Sequence, residues 1–430
     1  MRNKSLICLA ALFTVALAAR AGALDGVQVS LTKLAAPVSA TPRSSGNNQL
    51  LYFTSNSFTA DRKHLVFLSD RTGSPNIFVR DMETGKERQL TSNNLGTLKS
   101  YVYFDGTPYV GLSKASISLD PHLGLIYYIQ GKQIRVVNLQ GQEHVLAELP
   151  SDQMTAFTHV STDGKRLCVP TTDAEALDGS KQLNGKPAYD IDALVQAKNL
   201  SSYLRVYDTR TGKEIVTERI SKAWVTHVQF SPIDSNLILY NHEWPSDCGI
   251  RRMWLWNGKE HLQLRREVNG GSRKDWVSHE MWERDGKGII YHGRYSKGAS
   301  FIGRVSLEGL ASVEIPLPSK WKGYGHFTVG NEGTLVTDGG YELLDNETPK
   351  WGGAWISVAK VNWISGSVKW FPICKHGSTW ASQDSHPHPI LDANDKMIFF
   401  NSNISGNISV YAVPVKEETV SHKDNSTITN

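Results

Sequence analysis

One pattern recurs seven times along this 430-residue chain: an apolar residue, a tight turn, and successive runs rich in β-branched and aromatic residues. The clearest copy, FTADRKHLVFLSDRTGSPNIFVRDMETGKERQLT at residues 58–91, divides into short strands separated by turns. Asp and Gly at these turns favour sharp reversals of the chain. Repeats of about 35–55 residues with four short strands each are typical of propeller blades. The sequence therefore predicts an all-β fold, a seven-bladed β-propeller.

The other copies locate the blades and two irregularities. They begin at residues 117, 160, 230, 282, 329 and 391. Residues 172–201 interrupt the third copy, and we expect them to form a loop or a short helix over one face. The last copy ends after three strands, and the apolar run at residues 49–54 is a candidate for its missing outer strand. A closure of this kind would remove an exposed sheet edge.

The first residues have the composition of a secretory signal peptide. Arg2 and Lys4 precede an apolar run at residues 6–19, and small residues at positions 21–23 match a cleavage site. The run is short for a membrane span and no second span follows, so we expect no stable membrane insertion. We therefore predict a signal peptide at residues 1–23, a propeller domain at residues 24–415 and a polar tail at residues 416–430. The protein is expected to be periplasmic or secreted.

Charge and cysteine content exclude some functions. Without the three basic residues of the signal peptide, the 46 Lys and Arg of the chain fall to 43, against 42 Asp and Glu. A nearly neutral chain argues against non-specific nucleic-acid binding. Cys168, Cys248 and Cys374 remain, without CxxC spacing, and they permit one disulfide at most. We expect buried thiols rather than a bridge.

Histidines recur at one position of the repeat. In a propeller the inner strands line a central channel, here called the hub, so equivalent residues of all blades converge there. Three residues before the apolar residue that precedes each turn, the chain has Ser55, Lys114, Phe157, His227, His279, His326 and His388. Four consecutive blades thus use a histidine, although the chain has only 14. Because imidazole is a frequent metal ligand and acid–base group, we predict a metal or catalytic site at the hub.

The last blade adds a second histidine. Gln383 and His386 shortly precede His388, and the two histidines are two residues apart, which places them on the same side of an extended strand. Pro387 and Pro389 favour such an extended segment. We interpret the two imidazoles as metal ligands, with the Gln383 carbonyl oxygen as a further donor.

Cationic and polar side chains near these histidines suit an acidic substrate. Arg252 follows Arg251 in the fourth blade, and a guanidinium can grip a carboxylate with two parallel hydrogen bonds. Arg251 is equally consistent with an ordinary surface charge. Together with Lys114, His227 and His242, these residues are the candidates for substrate binding.

Four motifs in the carboxyl half resemble those of the oligogalacturonate lyases. They are SHEMWERDG at residues 278–286, GHFTVGNEGTLVTDGG at 325–340, CKHGSTW at 374–380 and QDSHPHP at 383–389. The resemblance extends over essentially the whole mature chain. The early blades are similar to any propeller of the TolB type.

The resemblance implies a divalent metal, usually manganese, in the central funnel. It implies the metal ligands His326, Gln383, His386 and His388. It also implies that His279 abstracts the substrate proton and that Arg252 assists. Three imidazoles and an amide would suit zinc, iron or nickel at least as well, so the choice of manganese depends on the resemblance.

The expected reaction is cleavage of 4-linked oligogalacturonate, an acidic oligosaccharide, by β-elimination. Removal of a proton beside a carboxylate builds negative charge, which a divalent cation stabilises as a Lewis acid. A lyase acting on ulvan or a rhamnogalacturonan would use the same residues. A non-catalytic TolB-like binding module would not need the four metal ligands. A two-carboxylate hydrolase is disfavoured, since no Asp or Glu pair stands at the hub positions.

Overall fold

A computed structural model describes the blades but not the two ends of the chain. The described residues are 27–29, 36–41, 45–93, 116–176, 182–183, 186–187, 191–243, 252–265, 275–295, 299–318, 325–339 and 353–415. The predicted signal peptide and polar tail lie outside these ranges, as do Lys114, Cys248 and Arg251. Among the described residues, no helix is long and apolar enough to span a membrane.

Seven antiparallel sheets, numbered here as blades 1 to 7, confirm the predicted β-propeller. Blade 1 contains Asn48–Leu50, His64–Ser69, Asn76–Asp81 and Glu87–Gln89. Blade 2 contains Ile117–Asp120, Leu125–Gln130, Gln133–Asn138 and Glu143–Glu148. Blade 3 contains Gln153–Thr155, His159–Val160, Arg166–Asp173, Ser201–Asp208 and Glu214–Ser221. Blade 4 contains Val228–Phe230, Ile238–Asn241, Met253–Trp256 and His261–Gln263.

The remaining blades complete the ring. Blade 5 contains Trp276–Trp282, Gly288–Arg294, Ser300–Ser306 and Ser312–Pro316. Blade 6 contains Phe327–Val329, Thr334–Thr337, Trp355–Asn362 and Ser367–Lys375, with Val27–Val29 added in parallel at its outer edge. Blade 7 contains Ile390–Leu391, Met397–Ser405, Asn407–Pro414 and, as its outer strand, Val38–Ser39.

The insertion in blade 3 forms small elements of its own. A 3-10 helix at Ala174–Ala176 follows the second main strand of the blade. Gln182–Leu183 then pairs with Lys186–Pro187 as a two-stranded hairpin, and the helix Ile191–Lys198 leads back into the blade. The expected short helix is therefore present, together with a hairpin that was not expected.

Side chains become more exposed with increasing distance from the hub. The inner part of each blade is covered on both faces by its neighbours, so a run such as Leu65–Leu68 is fully buried and reads as continuously apolar. The outer strand Glu214–Ser221 instead alternates between exposed and half-buried residues. The hydrophobic core accordingly lies between neighbouring blades, as where Leu68 and Ile77 of blade 1 pack with Ile126 of blade 2.

The ring is closed by a segment other than the expected one. Residues 49–54 do not supply the outer strand of blade 7. Asn48–Leu50 instead begins blade 1, paired with its second strand, and Val38–Ser39 pairs with Tyr411 and Ala412 at the edge of blade 7. The apolar pattern predicts a strand at residues 49–54 but carries no information on its partner. The Leu50 N–H also donates to Asn401 Oδ1 of blade 7 at 2.9 Å, which joins the last blade to the first.

Two of the three cysteines in the predicted propeller domain are described. Cys168 and Cys374 are buried free thiols, as expected, and burial raises the pKa of the Cys374 thiol to about 12.

The hydrogen bond between Leu50 and Asn401 leads to a stability prediction. Replacement Asn401→Ala leaves a fully buried backbone N–H without its acceptor. We expect the free energy of unfolding to fall by about 1–3 kcal/mol, measured by urea denaturation. The exposed Asn331→Ala serves as the control and should change it by less than about 0.5 kcal/mol. Equal stability of both variants would show that this bond does not help to close the ring.

Candidate active site at the hub

Three of the four predicted hub histidines lie in contact. The His326 and His388 ring centroids are 4.0 Å apart, and those of His279 and His326 are 4.4 Å apart. His227 lies in another part of the hub, stacked on Phe157 at 4.2 Å. Ser55, also at a predicted hub position, accepts a hydrogen bond from the Leu119 N–H and has a structural contact there. Residues from blades 5, 6 and 7 therefore form one cluster.

A metal-binding geometry is present in this cluster. His326, His386 and His388 are all buried, and one ring nitrogen from each lies within 4.8 Å of the others. Gln383, also buried, stands on the 3-10 helix Gln383–Ser385 just before His386. Three imidazoles with ring nitrogens this close together are a suitable donor set for a divalent transition metal. The residues present therefore fit such an ion.

The backbone that carries two of these ligands differs from the predicted extended strand. His386 is extended, with φ of −66° and ψ of 136°, but His388 has a φ of 44°. The strand itself begins only at Ile390. A left-handed conformation before a proline costs of order 1–3 kcal/mol and persists only where surrounding contacts impose it. One such contact is the hydrogen bond from the His388 N–H to Asp338 Oδ2 at 3.1 Å.

Asp338 was not found by sequence reasoning. It is fully buried, and its Oδ2 lies 3.1 Å from Nδ1 of His326. A carboxylate only accepts, so Nδ1 of His326 carries a proton and Nε2 keeps the lone pair that a metal requires. The sequence Asp-Gly at this position is typical of an ordinary turn. It does not indicate a contact with a histidine twelve positions earlier.

His279 is held in an unusual backbone conformation. The pairing of its strand shifts register between Ser278 and Met281, and His279 has a φ of 54°. A bulge of this kind redirects a side chain out of the regular alternation. The bulge places the His279 ring against His326 and, edge-on, against Phe53 at a centroid distance of 5.7 Å.

The hydrogen bonds of His279 define which nitrogen can act as a base. Nδ1 lies 2.8 Å from the Gly325 carbonyl oxygen and 2.8 Å from Nε2 of His292. Because a carbonyl oxygen only accepts, Nδ1 carries the proton and Nε2 holds the lone pair. Burial lowers the pKa of His279 well below its ordinary value, and His326, His292 and Arg252 lower it further. His279 is thus a neutral imidazole with its basic nitrogen fixed.

Arg252 is buried between two carboxylates. Its Nε donates to Glu280 Oε2 at 2.8 Å and its Nη2 to Glu280 Oε1 at 3.4 Å, while Nη1 reaches Glu243 Oε1 at 3.4 Å. Among contacts with the described residues, these bonds use three of the five N–H donors of the guanidinium, which leaves two for other acceptors. Burial alone would raise the pKa of Glu243, but Arg252 and His227 outweigh it and hold the pKa well below its ordinary value. Glu243 is therefore no candidate for a proton-donating acid.

Tyr52 and Phe53 fill the centre of the hub. Their rings are 4.5 Å apart, and Phe53 stacks on His388 at 5.8 Å. The Tyr52 hydroxyl lies 3.3 Å from Nε2 of His227, whose Nδ1 is 3.1 Å from Glu243 Oε2. The sequence did not reveal these aromatic residues as part of the site, since the run that contains them was interpreted as an outer strand.

His242, a predicted substrate contact, lies apart from the histidine cluster. Its ring packs against Trp254 at 5.6 Å and Tyr240 at 6.0 Å, on the opposite face of the strand from Asn241. The structure therefore gives His242 a packing environment. Lys114 and Arg251 lie outside the described residues, so their predicted roles stay predictions.

Sequence comparisons with known proteins all indicate the same family. The sequence model of the family described as oligogalacturonate lyase matches residues 118–419. The oligogalacturonate lyase of Dickeya dadantii is 24% identical over 392 residues, which cover 85% of this chain and 90% of that protein. The oligogalacturonide lyase of Pectobacterium atrosepticum is 25% identical over 385 residues, with the same coverage of 85% and 90%.

Solved structures show the same fold. An oligogalacturonate lyase in complex with manganese superposes with a TM-score of 0.70 at 22% identity, covering 90% of this chain and 95% of that one. An oligogalacturonate lyase from Vibrio parahaemolyticus also has a TM-score of 0.70, at 21% identity, covering 89% and 94%.

The environment of His242 leads to a pH prediction. Burial, followed by the nearby His261, lowers the pKa of His242 to about 4. Between pH 6.5 and 4 the unfolded chain therefore binds a proton that the folded state does not, and stability falls as the pH falls. Replacement His242→Phe should make this loss smaller by up to about 3 kcal/mol, measured by urea denaturation across that pH range.

A change at an exposed position provides the control for this prediction. His144→Phe, on the outer strand of blade 2, should leave the pH dependence as in the wild type. If the stability of His242→Phe falls with pH as steeply as that of the wild type, burial does not keep His242 neutral.

Proposed function

The chain belongs to the oligogalacturonate lyase family, and we propose that it is a metal-dependent lyase that cleaves 4-linked oligogalacturonate, the fragments of pectin, by β-elimination. One observation carries the mechanism. A buried group of three histidines suited to a divalent ion adjoins a fourth histidine, His279, that is neutral and has its lone pair on Nε2. As the C5 proton leaves, the bond between C4 and the glycosidic oxygen breaks and this oxygen takes a proton from water, which gives an unsaturated uronate and a shortened chain.

His279 suits the role of base for two reasons. Abstraction of the C5 proton of a uronate requires a neutral imidazole, and burial keeps His279 neutral at pH values well below 6.5. Orientation also matters, because a base must meet the C–H bond in one geometry. The bulge, the Gly325 carbonyl and His292 together fix the ring, so Nε2 takes up the proton without rearrangement.

Charge develops on the substrate carboxylate as the proton leaves. A divalent ion, when bound, supplies Lewis-acid stabilisation of that charge. At an effective dielectric constant of about 20, two unit charges about 4 Å apart interact by roughly 4 kcal/mol, which is a useful part of a catalytic barrier. We propose His326, Gln383, His386 and His388 as the ligands.

We propose manganese as the ion. The support is the family and a structural neighbour that was solved in complex with manganese. The donor set alone would accept zinc, iron or nickel equally well.

The remaining site residues are proposed to bind the acidic chain. Arg252 has two N–H donors beyond its bonds to Glu280 and Glu243, and we propose that they meet the carboxylate of the reacting sugar. Two parallel bonds to a carboxylate would also fix the plane of the group from which charge develops. Lys114, Arg251 and His227 are proposed as further contacts, of which the first two rest on the sequence pattern alone.

The direct experiment follows the ultraviolet absorbance of the product. Elimination creates a double bond conjugated with the carboxylate, which hydrolysis does not. Residues 24–430 with Mn²⁺ and trigalacturonate should show a rise in absorbance that a chelator abolishes and added Mn²⁺ restores. Replacement His279→Ala should lower kcat by about 100- to 10,000-fold, because it removes the base. His144→Ala, an exposed histidine of blade 2, should keep wild-type activity.

The outcomes separate the alternatives. An absorbance rise on ulvan or rhamnogalacturonan fragments but not on oligogalacturonate would keep the reaction and replace the substrate. Release of reducing ends without absorbance would indicate hydrolysis and contradict the proposal. Binding of the oligomer with no cleavage, unchanged by the chelator, would favour a binding module.

We also propose that the protein is exported to the periplasm or the medium. The support is the sequence of the first 23 residues, with a basic start, an apolar run and a small-residue cleavage pattern. When the full-length chain is expressed, the protein should be recovered outside the cytoplasm, and Edman sequencing should give an N-terminus close to residue 24. An intact Met1 in the cytoplasmic fraction would contradict export.

A further inference from the structure

We propose that Asp338 is a positioning residue that couples the metal site to the base. It orients His326 and His388 directly, and it orients His279 through one shared peptide group. The inference rests on the proposed function for the roles of these histidines, whereas the contacts themselves are independent of it.

Asp338 occupies the end of the inner hairpin of blade 6. Phe327 pairs with Thr337, so the next residues along the two strands, His326 and Asp338, stand opposite each other. The Asp338 N–H donates to the His326 carbonyl oxygen at 3.2 Å and continues the ladder. The carboxylate is fully buried, so its charge acts on its neighbours without screening by water.

The carboxylate contacts two of the four candidate metal ligands. Oδ2 accepts from Nδ1 of His326 and from the backbone N–H of His388, each at 3.1 Å. The first bond places the proton of His326 on Nδ1 and its lone pair on Nε2. The second stabilises the left-handed φ of 44° at His388, whose ring lies 4.0 Å from that of His326. Removal of the charge would therefore loosen two ligands together.

The contact with the base passes through a single peptide group. Oδ1 of Asp338 accepts from the His326 N–H at 2.6 Å. The carbonyl of that same peptide is the Gly325 oxygen, which accepts from Nδ1 of His279 at 2.8 Å. A peptide that donates to a carboxylate is polarised and becomes a stronger acceptor at its oxygen. Asp338 thus favours the His279 tautomer with its proton on Nδ1 and its lone pair on Nε2.

Gly325 makes this arrangement possible. A Cβ atom at position 325 would lie 2.2 Å from the Gly339 Cα and 3.0 Å from Asp338 Oδ1. The two backbones therefore approach more closely than any side chain would allow. The peptide that joins the Asp338 carboxylate to the His279 ring is thus packed closely against the backbone of residue 339, which limits its movement.

The first test measures metal affinity and turnover in Asp338→Asn. Titration with Mn²⁺, followed by the electron paramagnetic resonance of the free ion, should show affinity lowered by about 10- to 100-fold. At saturating Mn²⁺, kcat for trigalacturonate should fall on the order of tenfold with KM little changed, since the base is misdirected while substrate contacts remain. His326→Ala provides the reference for loss of a ligand.

The matched control is Asp120→Asn. Asp120 is as deeply buried but belongs to blade 2, where its carboxylate accepts from the N–H groups of His122 and Leu123 in a turn. This variant should bind Mn²⁺ and turn over as the wild type does. If both variants lose affinity equally, or if Asp338→Asn binds Mn²⁺ with wild-type affinity, Asp338 has no positioning role.

The second test uses the wild-type chain and does not depend on the folding of a variant. In protein labelled with ¹⁵N at histidine and loaded with diamagnetic Zn²⁺, the nitrogen shifts should show His279 protonated at Nδ1 and not at Nε2. The opposite tautomer would overturn the peptide link. A wild type with this tautomer and high Mn²⁺ affinity but no lyase activity would contradict the proposed function and leave the coupling intact.

Discussion

Closure of the ring is the constraint on which the rest of the structure depends. The inner strand of a blade is buried only when both neighbouring blades are in place, and the hub exists only when all of them are. Here two contacts complete the circle: Val38–Ser39 extends blade 7, and Leu50 of blade 1 bonds to Asn401 of blade 7. Residues far apart in sequence, such as Phe53 and His388, then stack on each other.

Burial at the hub has two opposing effects on the proposed base, His279. A base must be neutral at the working pH, and a buried histidine is neutral because its charged form is poorly solvated. A buried neutral histidine is, however, a weaker base. The hydrogen bond to the Gly325 carbonyl compensates in part, because it places the lone pair of His279 on Nε2. The fixed orientation of the lone pair thus offsets part of the basicity that His279 loses on burial.

The sequence predicted the fold and the approach of the hub histidines because both follow from the spacing of the seven repeats. Seven repeats predict seven blades, and one repeat position predicts the approach of His279, His326 and His388, whereas His227 lies in another part of the hub. The contacts around them were not readable. Asp338 and His292 reach the hub by cross-strand pairing, which a linear pattern does not record. The conformation of His388 was predicted wrongly because its two flanking prolines favour extended backbone, whereas tertiary hydrogen bonds impose a left-handed one.

Buried carboxylates hold the side chains of the hub in place. Asp338 accepts from His326 and His388, whereas Glu243 and Glu280 both accept from Arg252. Among the described groups in these contacts, three carboxylates face one guanidinium. Buried carboxylates are costly without a cationic partner. A divalent cation at His326, His386 and His388 would act as such a partner and would reduce the repulsion that an acidic sugar meets. The carboxylates that position Arg252, His326 and His388 would thereby also favour a bound cation.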